Sequence, residues 1–279
     1  MTAPSGPLET PLNFFSHTND GAYPYSCFYP TKPQNNIVSA AHTVLLHDMR
    51  GCEDDFDVDV QGFLPVRGVA SLALFLLDAT SGDVLFNDDV VKAHFDALVR
   101  RLFPHTTFLD VFRVMLRSSD PKEVANGRRK PSPLIHIDQT PSAGAAHMTD
   151  LPPDVQEGIV AGRLRVRILS LWQPLVSVVH NWPMAMADAR TVPPSALLDS
   201  ETRLTQGRRG AMSLMTYTPD ATWWYWSAMT CNDMLVLKNF DSIDAKSRTP
   251  HTSFADPRAP PHSHRQSVEA RVLVVTDVV

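Results

Sequence analysis

The chain has 279 residues, 43% apolar and 20% charged, a balance that excludes wholesale disorder and leaves room for one large domain. Its formal charge of −5 gives no basic surplus for nucleic acid or anionic lipid. No apolar run approaches a membrane span, the first residues lack the basic and apolar regions of a signal peptide, and three scattered cysteines (Cys27, Cys52, Cys231) suit a reduced setting, so a cytoplasmic location is expected.

In chain order, residues 1–20 read as a loosely held arm. Asn36 to His47 predicts a strand with Val38, Val44 and Leu46 inward. In the acidic stretch Glu53 to Phe63, the residues Phe56, Val58 and Val60 alternate with Asp. That is the period of a half-buried strand, with Asp54–Asp59 as its solvated edge. Val90, Val91, His94, Phe95, Leu98, Val99 and Leu102 recur at helical spacing. Residues 107–117 predict a strand, and 118–132 an exposed loop in which Arg128, Arg129 and Lys130 are solvated rather than a binding patch. A short strand over Leu134–Asp138, a helix over Pro153–Gly162 and a strand over Leu164–Trp172 follow. Three further strands are expected at Trp223–Ser227, Met234–Phe240 and Val268–Val275.

No linker or repeat divides residues 1–279, which read as a single domain. With 23 Pro against 12 Gly, and 24 Asp against 6 Glu, strands and loops are favoured. The fold class expected is mainly β with flanking helices, built on a sandwich or barrel core.

His136 and Asp138 stand two apart on a strand, so both side chains emerge on one face. A third ligand would complete a two-histidine, one-carboxylate site, which leaves open positions on ferrous iron for a cosubstrate and dioxygen. His251, in Pro250–Phe254, is the leading candidate, with His180 as runner-up. His147, His262 and His264 are also downstream, the last two in a Pro/Ser-rich loop expected to be solvated. The order HxD, a later His, then Arg265-Gln266-Ser267 is the layout of 2-oxoglutarate-dependent iron oxygenases. Arg265 and Ser267 would supply a cationic fork and a hydroxyl for the cosubstrate's remote carboxylate. Arg271 has the same strand parity and is the alternative anchor. Trp172, Trp182, Tyr225, or Trp224 with Trp226, could wall a substrate pocket, although core packing is their default role. Arg190 and Lys238 could meet a substrate carboxylate, and an ion pair of Arg190 with Asp188 is as good a reading.

Eight blocks in order resemble one family. They are His47–Phe63, His136–Gly144, Leu171–Pro174, Trp182–Arg190, Trp224–Met229, Phe240–Ser242, Pro250–Phe254 and Arg265–Arg271. The chain is similar to the AsaB-type hydroxylase/desaturases, the gibberellin desaturases and CmcJ, a group of Fe(II)/2-oxoglutarate-dependent enzymes. The resemblance implies a double-stranded β-helix (jelly-roll, cupin-like) core and a single catalytic domain. It implies Fe(II), 2-oxoglutarate as cosubstrate and O2. It implies His136, Asp138 and His251 on the metal and Arg265 with Ser267 on 2-oxoglutarate. The implied reaction is hydroxylation, desaturation or oxidative cyclisation of a small-molecule natural-product intermediate, with no nucleic acid or membrane as partner. Where the family usually has Asn, and Arg within Trp-Arg-Pro, this chain has Ser170 and Gln173; where it has Ser-Asp-Met, this chain has Ala228. These departures sit beside motifs expected to face the site. A β-barrel that binds a ligand without catalysis, or a metal enzyme that needs no 2-oxoglutarate, is the alternative.

Overall fold

The computed structural model describes residues 3–27, 34–73, 88–203, 209–245 and 247–278. The strands in chain order begin with β1 (Leu8–Thr18), β2 (Tyr25–Cys27), β3 (Gln34–Asn35), β4 (Ile37–Asp48) and β5 (Phe63–Arg67). The middle of the chain gives β6 (Thr106–Ser118), β7 (His136–Ile137), β8 (Leu164–Pro174), β9 (Met184–Ala187) and β10 (Leu197–Arg203). The last five are β11 (Arg209–Met215), β12 (Trp223–Tyr225), β13 (Asp233–Asp241), β14 (His251–Ser253) and β15 (Gln266–Asp277). Among the described residues four α-helices accompany them: α1 (Asp88–Leu102), α2 (Pro121–Ala125), α3 (Pro141–Ala146) and α4 (Pro153–Val160).

Ten strands form one sheet, in the order β1-β4-β12-β9-β14-β7-β11-β10-β2-β3, and five form the other, β5-β13-β8-β15-β6. Alternation along β8, β13 and β15 sends two sets of apolar residues to opposite faces of the smaller sheet. Leu169, Leu171, Val236, Val268, Ala270 and Val272 pack outward against Val91, Phe95, Leu98 and Val99 of α1. The apolar stripe of that helix is the one its spacing predicts. Trp172, Leu235 and Leu237 face inward, against Met184, Met186 and Trp226 from the side of the larger sheet. Two curled sheets packed face to face form the double-stranded β-helix that was expected.

The larger sheet also curls over its own outer face. Its first strand returns to lie beside the far side of the sheet through bridges Asn13–Leu134 and Phe15–Thr216. Residues 8–18 are therefore not a loose arm: β1 pairs with β4 along its length and buries Leu12 and Phe14. Proline, serine and asparagine disguised a strand whose inward positions are apolar. The acidic stretch departs from expectation in the opposite sense. Glu53–Asp55 is a 3-10 turn, and the Asp57 carboxylate accepts the Asp59 amide at 2.7 Å, a local bond that favours a turn over a ladder. Phe56 and Val58 are buried, but Val60 is exposed. The loop after β6 contains α2, started by Pro121 and capped by the Asp120 carboxylate on the Lys122 amide at 2.8 Å.

Directly after β7, α3 lies on the ring of Phe240 with no side chain between them at Gly144. A Cβ there would meet that ring at 2.2 Å. Gly144→Ala should therefore destabilise the protein by about 1–3 kcal/mol through overpacking, read as a lowered urea midpoint at unchanged slope.

Candidate metal centre

The register of the larger sheet sets the geometry. β14 pairs with β7 so that His251 stands opposite His136, and directly opposed residues point to the same face. Asp138 follows two residues after His136 on that face, which looks across to the smaller sheet. His136 Nε2 lies 3.6 Å from Asp138 Oδ1, and His251 Nε2 lies 3.8 Å from Asp138 Oδ2. All three candidate ligand atoms fall within 4.8 Å of one another. Among the described residues this is the one group of three or more such side chains in metal-holding proximity.

Both imidazoles are fixed by the chain itself. Nδ1 of His136 donates to the Leu134 carbonyl at 2.8 Å, and Nδ1 of His251 to the Thr249 carbonyl at 3.0 Å. A carbonyl accepts only, so each Nδ1 carries the proton and each Nε2 turns its lone pair to the shared centre. Burial, reinforced by the neighbouring His251, holds His136 down to about 4, so its ring is neutral and ready to ligate. Asp138 behaves oppositely. Burial alone would raise it, but the charge of Arg271 and the Ser170 hydroxyl bond hold its carboxyl well below the usual carboxylate range.

The smaller sheet supplies those partners from a single rung. Arg271 stands opposite Ser170. Arg271 Nη2 reaches Asp138 Oδ1 at 2.6 Å, and the Ser170 hydroxyl donates to Oδ2 at 2.8 Å. Asn239, at a bulge in β13, donates to Ser170 at 2.9 Å and accepts from the Asp138 amide at 3.3 Å. Ser170 thus stands where the family pattern has Asn, and it faces the site. Gln173 does not: its side chain points outward to the carbonyls of Ala70 and Cys231, both at 2.8 Å, and to His94.

Beside the triad a pocket is lined by His136, His251, Trp172, Ser253, Arg265 and Arg117, among others. Arg265 is 1% exposed and lies over the Trp172 ring at 5.2 Å. One nitrogen, Nη1, donates to the Trp182 carbonyl at 2.7 Å and to Ser253 Oγ at 2.9 Å. Its Nε and Nη2 are buried without an acceptor, and the Ser267 hydroxyl is likewise buried and unpartnered. Burial, with Arg117 adding like charge, pushes this guanidinium down to about 9.

The remaining sequence candidates divide. Trp172 lines the pocket. Trp224 and Trp226 belong to the inward core, whereas Trp223 and Tyr225 lie on the other face of the larger sheet. Tyr225 does not wall the pocket; its hydroxyl donates to the Gly6 carbonyl and accepts from Arg258 at 2.8 Å. Arg190 pairs with Asp188 at 2.6 Å and is largely exposed, away from the pocket. Lys238 is wholly buried, 3.0 Å from both Asp59 and Asp241, which Arg165 also joins. Asp59 is therefore no solvated edge: Arg167 and Lys238 overcome its burial and hold it at about 2. His180 is not in the triad, and His262 and His264 are exposed. Sequence reading missed Arg117, Ser253 and Glu269 in the pocket lining and Asn239 behind Ser170. The alternation Arg113-Val-Met115-Leu-Arg117 in β6 was the available signal for the arginines.

A jelly-roll with a His-x-Asp…His centre between its sheets, and an arginine deep in the adjoining pocket, defines the class of non-haem iron(II)/2-oxoglutarate oxygenases. Comparison with known proteins gives the narrower group. A family model described as "Oxidoreductase/YMDC permease-like domain" matches residues 12–275, and the chain belongs to that family. The chain is 27% identical over 255 residues to the Fe(II)/2-oxoglutarate-dependent dioxygenase nvfI of Aspergillus novofumigatus, covering 88% of this chain and 87% of that one. It is 27% identical over 285 residues to the hydroxylase/desaturase efuI of Hormonema carpetanum, covering 96% and 94%. The solved iron and alpha-ketoglutarate-dependent endoperoxidase NvfI shares the fold with a TM-score of 0.81 at 24% identity, over 98% of this chain and 99% of that chain. The protein is a member of the Fe(II)/2-oxoglutarate-dependent hydroxylase/desaturase group, an oxidoreductase using Fe(II), 2-oxoglutarate and O2. Among the described residues no helix is long and apolar enough to cross a membrane.

His136 takes up its proton near pH 4 when folded and near 6.5 when unfolded. The metal-free protein should lose stability as pH falls from 6.5 towards 4, by roughly 2–3 kcal/mol, because the unfolded chain then binds more protons. Urea titrations from pH 7 to 4.5 should show this slope, flattened in His136→Gln.

Proposed function

We propose that His136 Nε2, Asp138 and His251 Nε2 bind the iron(II), and that Arg265 with Ser267 receives the remote carboxylate of 2-oxoglutarate. The two orphaned nitrogens of buried Arg265 carry this reading. Two guanidinium nitrogens sealed from water without acceptors among the described residues are costly, and a carboxylate accepting a bidentate pair removes that cost. The donor set fits the metal: two neutral imidazole nitrogens and one ionised carboxylate, all fixed before binding. A barrel that only shelters a neutral ligand leaves Arg265 and Ser267 without partners.

When bound, iron(II) with 2-oxoglutarate and dioxygen supplies the power to oxidise an unactivated C–H bond, with succinate and carbon dioxide as coproducts. The chain's residues supply position and dryness. Ser170 and Asn239 fix the rotamer of Asp138, the Leu134 and Thr249 carbonyls fix the two rings, and Trp172 seals one side of Arg265. Trp182 and Ser253 hold Nη1 of Arg265 so that its other nitrogens face the pocket.

The family acts on small molecules of secondary metabolism, and a natural-product intermediate is the substrate class for this chain. Hydroxylation, desaturation and ring closure share its first demand, a substrate C–H bond held beside the metal. A cytoplasmic setting is supported by the unpaired thiols of Cys27, Cys52 and Cys231.

Anaerobic addition of Fe(II) and 2-oxoglutarate to the wild type should give a metal-to-ligand charge-transfer band, absent in Asp138→Ala and His251→Ala. Wild-type succinate formation in either variant would overturn the ligand assignment. Arg265→Ala should keep the metal and need about 100-fold more 2-oxoglutarate, the loss of charge-assisted bonds worth about 2–3 kcal/mol. An unchanged requirement would transfer the anchor to Arg271.

A further inference from the structure

The inner face of β6 carries cations that the chemistry above does not use. Arg113 stands opposite Arg271, and Arg117 opposite Ser267, on the face that looks towards the triad. The basic stretch after α2 joins them: Arg129 bridges to Arg117, and Arg117 Nη1 donates to the Lys130 carbonyl at 2.9 Å. Arg129 and Lys130 stay exposed, as expected of a solvated loop, but the charge of Arg129 reaches Arg113 and Arg271.

The carboxylates that could balance this row are already engaged. Glu269 lies 3.7 Å from Arg117 and 3.4 Å from Arg271, and Asp138 lies 2.6 Å from Arg271. Arg113 has no carboxylate within ion-pair distance among the described residues. It is half-buried, so a ligand can reach it. Burial, then the like charges of Arg271 and Arg129, push its guanidinium down to about 10. The more distant charges of Asp138 and Glu269 offset this only in part, so without a direct partner the group gives up hydration for little return.

Arg113 is also not placed to serve the cosubstrate. It is level with Arg271, which grips Asp138, whereas Arg265 comes six residues earlier, just before β15 begins. At strand spacing that is roughly 20 Å along the backbone, so the two anion positions are separate. We propose that the substrate is an organic acid whose ionised group docks on Arg113, with Arg129 alongside, presenting the rest of the molecule to the metal. This rests on the oxygenase reading of the centre.

The probe pair that tests it is 8-anilinonaphthalene-1-sulfonate and its neutral counterpart N-phenyl-1-naphthylamine, titrated by fluorescence into the anaerobic Fe(II)/2-oxoglutarate form. The wild type should bind the anion about tenfold more tightly. Arg113→Gln should weaken the anion about tenfold, leave the neutral probe and the 2-oxoglutarate titration of the charge-transfer band unchanged, and be rescued in large part by Arg113→Lys. Arg129→Gln, at an exposed position that folding tolerates, should weaken the anion a fewfold. Equal affinity of the wild type for the two probes, an unchanged anion affinity in both Gln variants, or equal loss of both probes would overturn the proposal. A weaker 2-oxoglutarate titration in Arg113→Gln would also overturn it, by assigning Arg113 to the cosubstrate. Absence of the charge-transfer band in the wild type would instead sink the reading on which the proposal rests.

Discussion

The carboxylate of Asp138 is buried between two sheets, and much of the local architecture answers to that charge. A buried ion is tolerated only with partners that replace its hydration. Arg271 and Ser170 provide them from one rung of the smaller sheet, while the backbone of Asp138 belongs to the larger sheet. The same contacts therefore fix the separation and register of the sheets and the rotamer of the candidate ligand. Asn239 extends the constraint: it bonds both the Asp138 amide and the Ser170 hydroxyl, so the carboxylate and its support cannot shift independently. In a dry interior such a network is rigid because each member lacks an alternative partner.

One group of the fold's other charges is kept apart from this centre. Lys238, Arg165 and Arg167 meet Asp59 and Asp241 in a separate cluster in which every charge has an opposite partner. Gly144, at the back of β13, lets α3 close over Phe240 directly after the His136–Asp138 segment. On the outer face, α1 covers the smaller sheet with an apolar stripe and one polar contact, His94 to Gln173. Matched charges and apolar packing thus surround a centre that is itself left with unmatched donors, and unmatched donors are what a ligand requires.

Much of this was legible in the residues. Strands β8, β13 and β15 alternate strongly, and the helix α1 has a clean apolar stripe, so the smaller sheet and its cover could be read directly. The His136–Asp138 spacing fixed a shared face, and the Arg265–Ser267 pair was distinctive enough to favour Arg265 over Arg271. What alternation cannot reveal is the occupant of the opposite face. Lys238 looked like a lone cation in an apolar stretch because Asp59 is 179 residues distant, whereas the pairing of Arg190 with Asp188, two residues away, was open to the sequence. Tyr225 and Trp224 are neighbours on one strand, yet one enters the inner core and the other the outer. β1 was hidden because most of its polar residues fall on its open face, and Asp57 and Asp59 mimicked a strand although the Asp57 carboxylate closes a local turn and that of Asp59 reaches distant cations.

Charge conservation connects the centre with the row of arginines on β6. Iron(II) and the 2-oxoglutarate dianion carry equal and opposite charge, so their joint binding cannot neutralise any surplus the protein already holds. Arg271 remains committed to Asp138, Arg117 and Arg271 share Glu269, and Arg265 is satisfied by the cosubstrate in the proposed assignment. Arg113 is then still unpaired, on the inner face and in a medium where a lone charge is costly. Water can hydrate it while the site is open, but a substrate that fills the site displaces that water. A neutral substrate would leave the guanidinium worse off than before, whereas an acid would gain from the same displacement. The loaded centre therefore selects for negative charge in its third component, because the first two have cancelled one another.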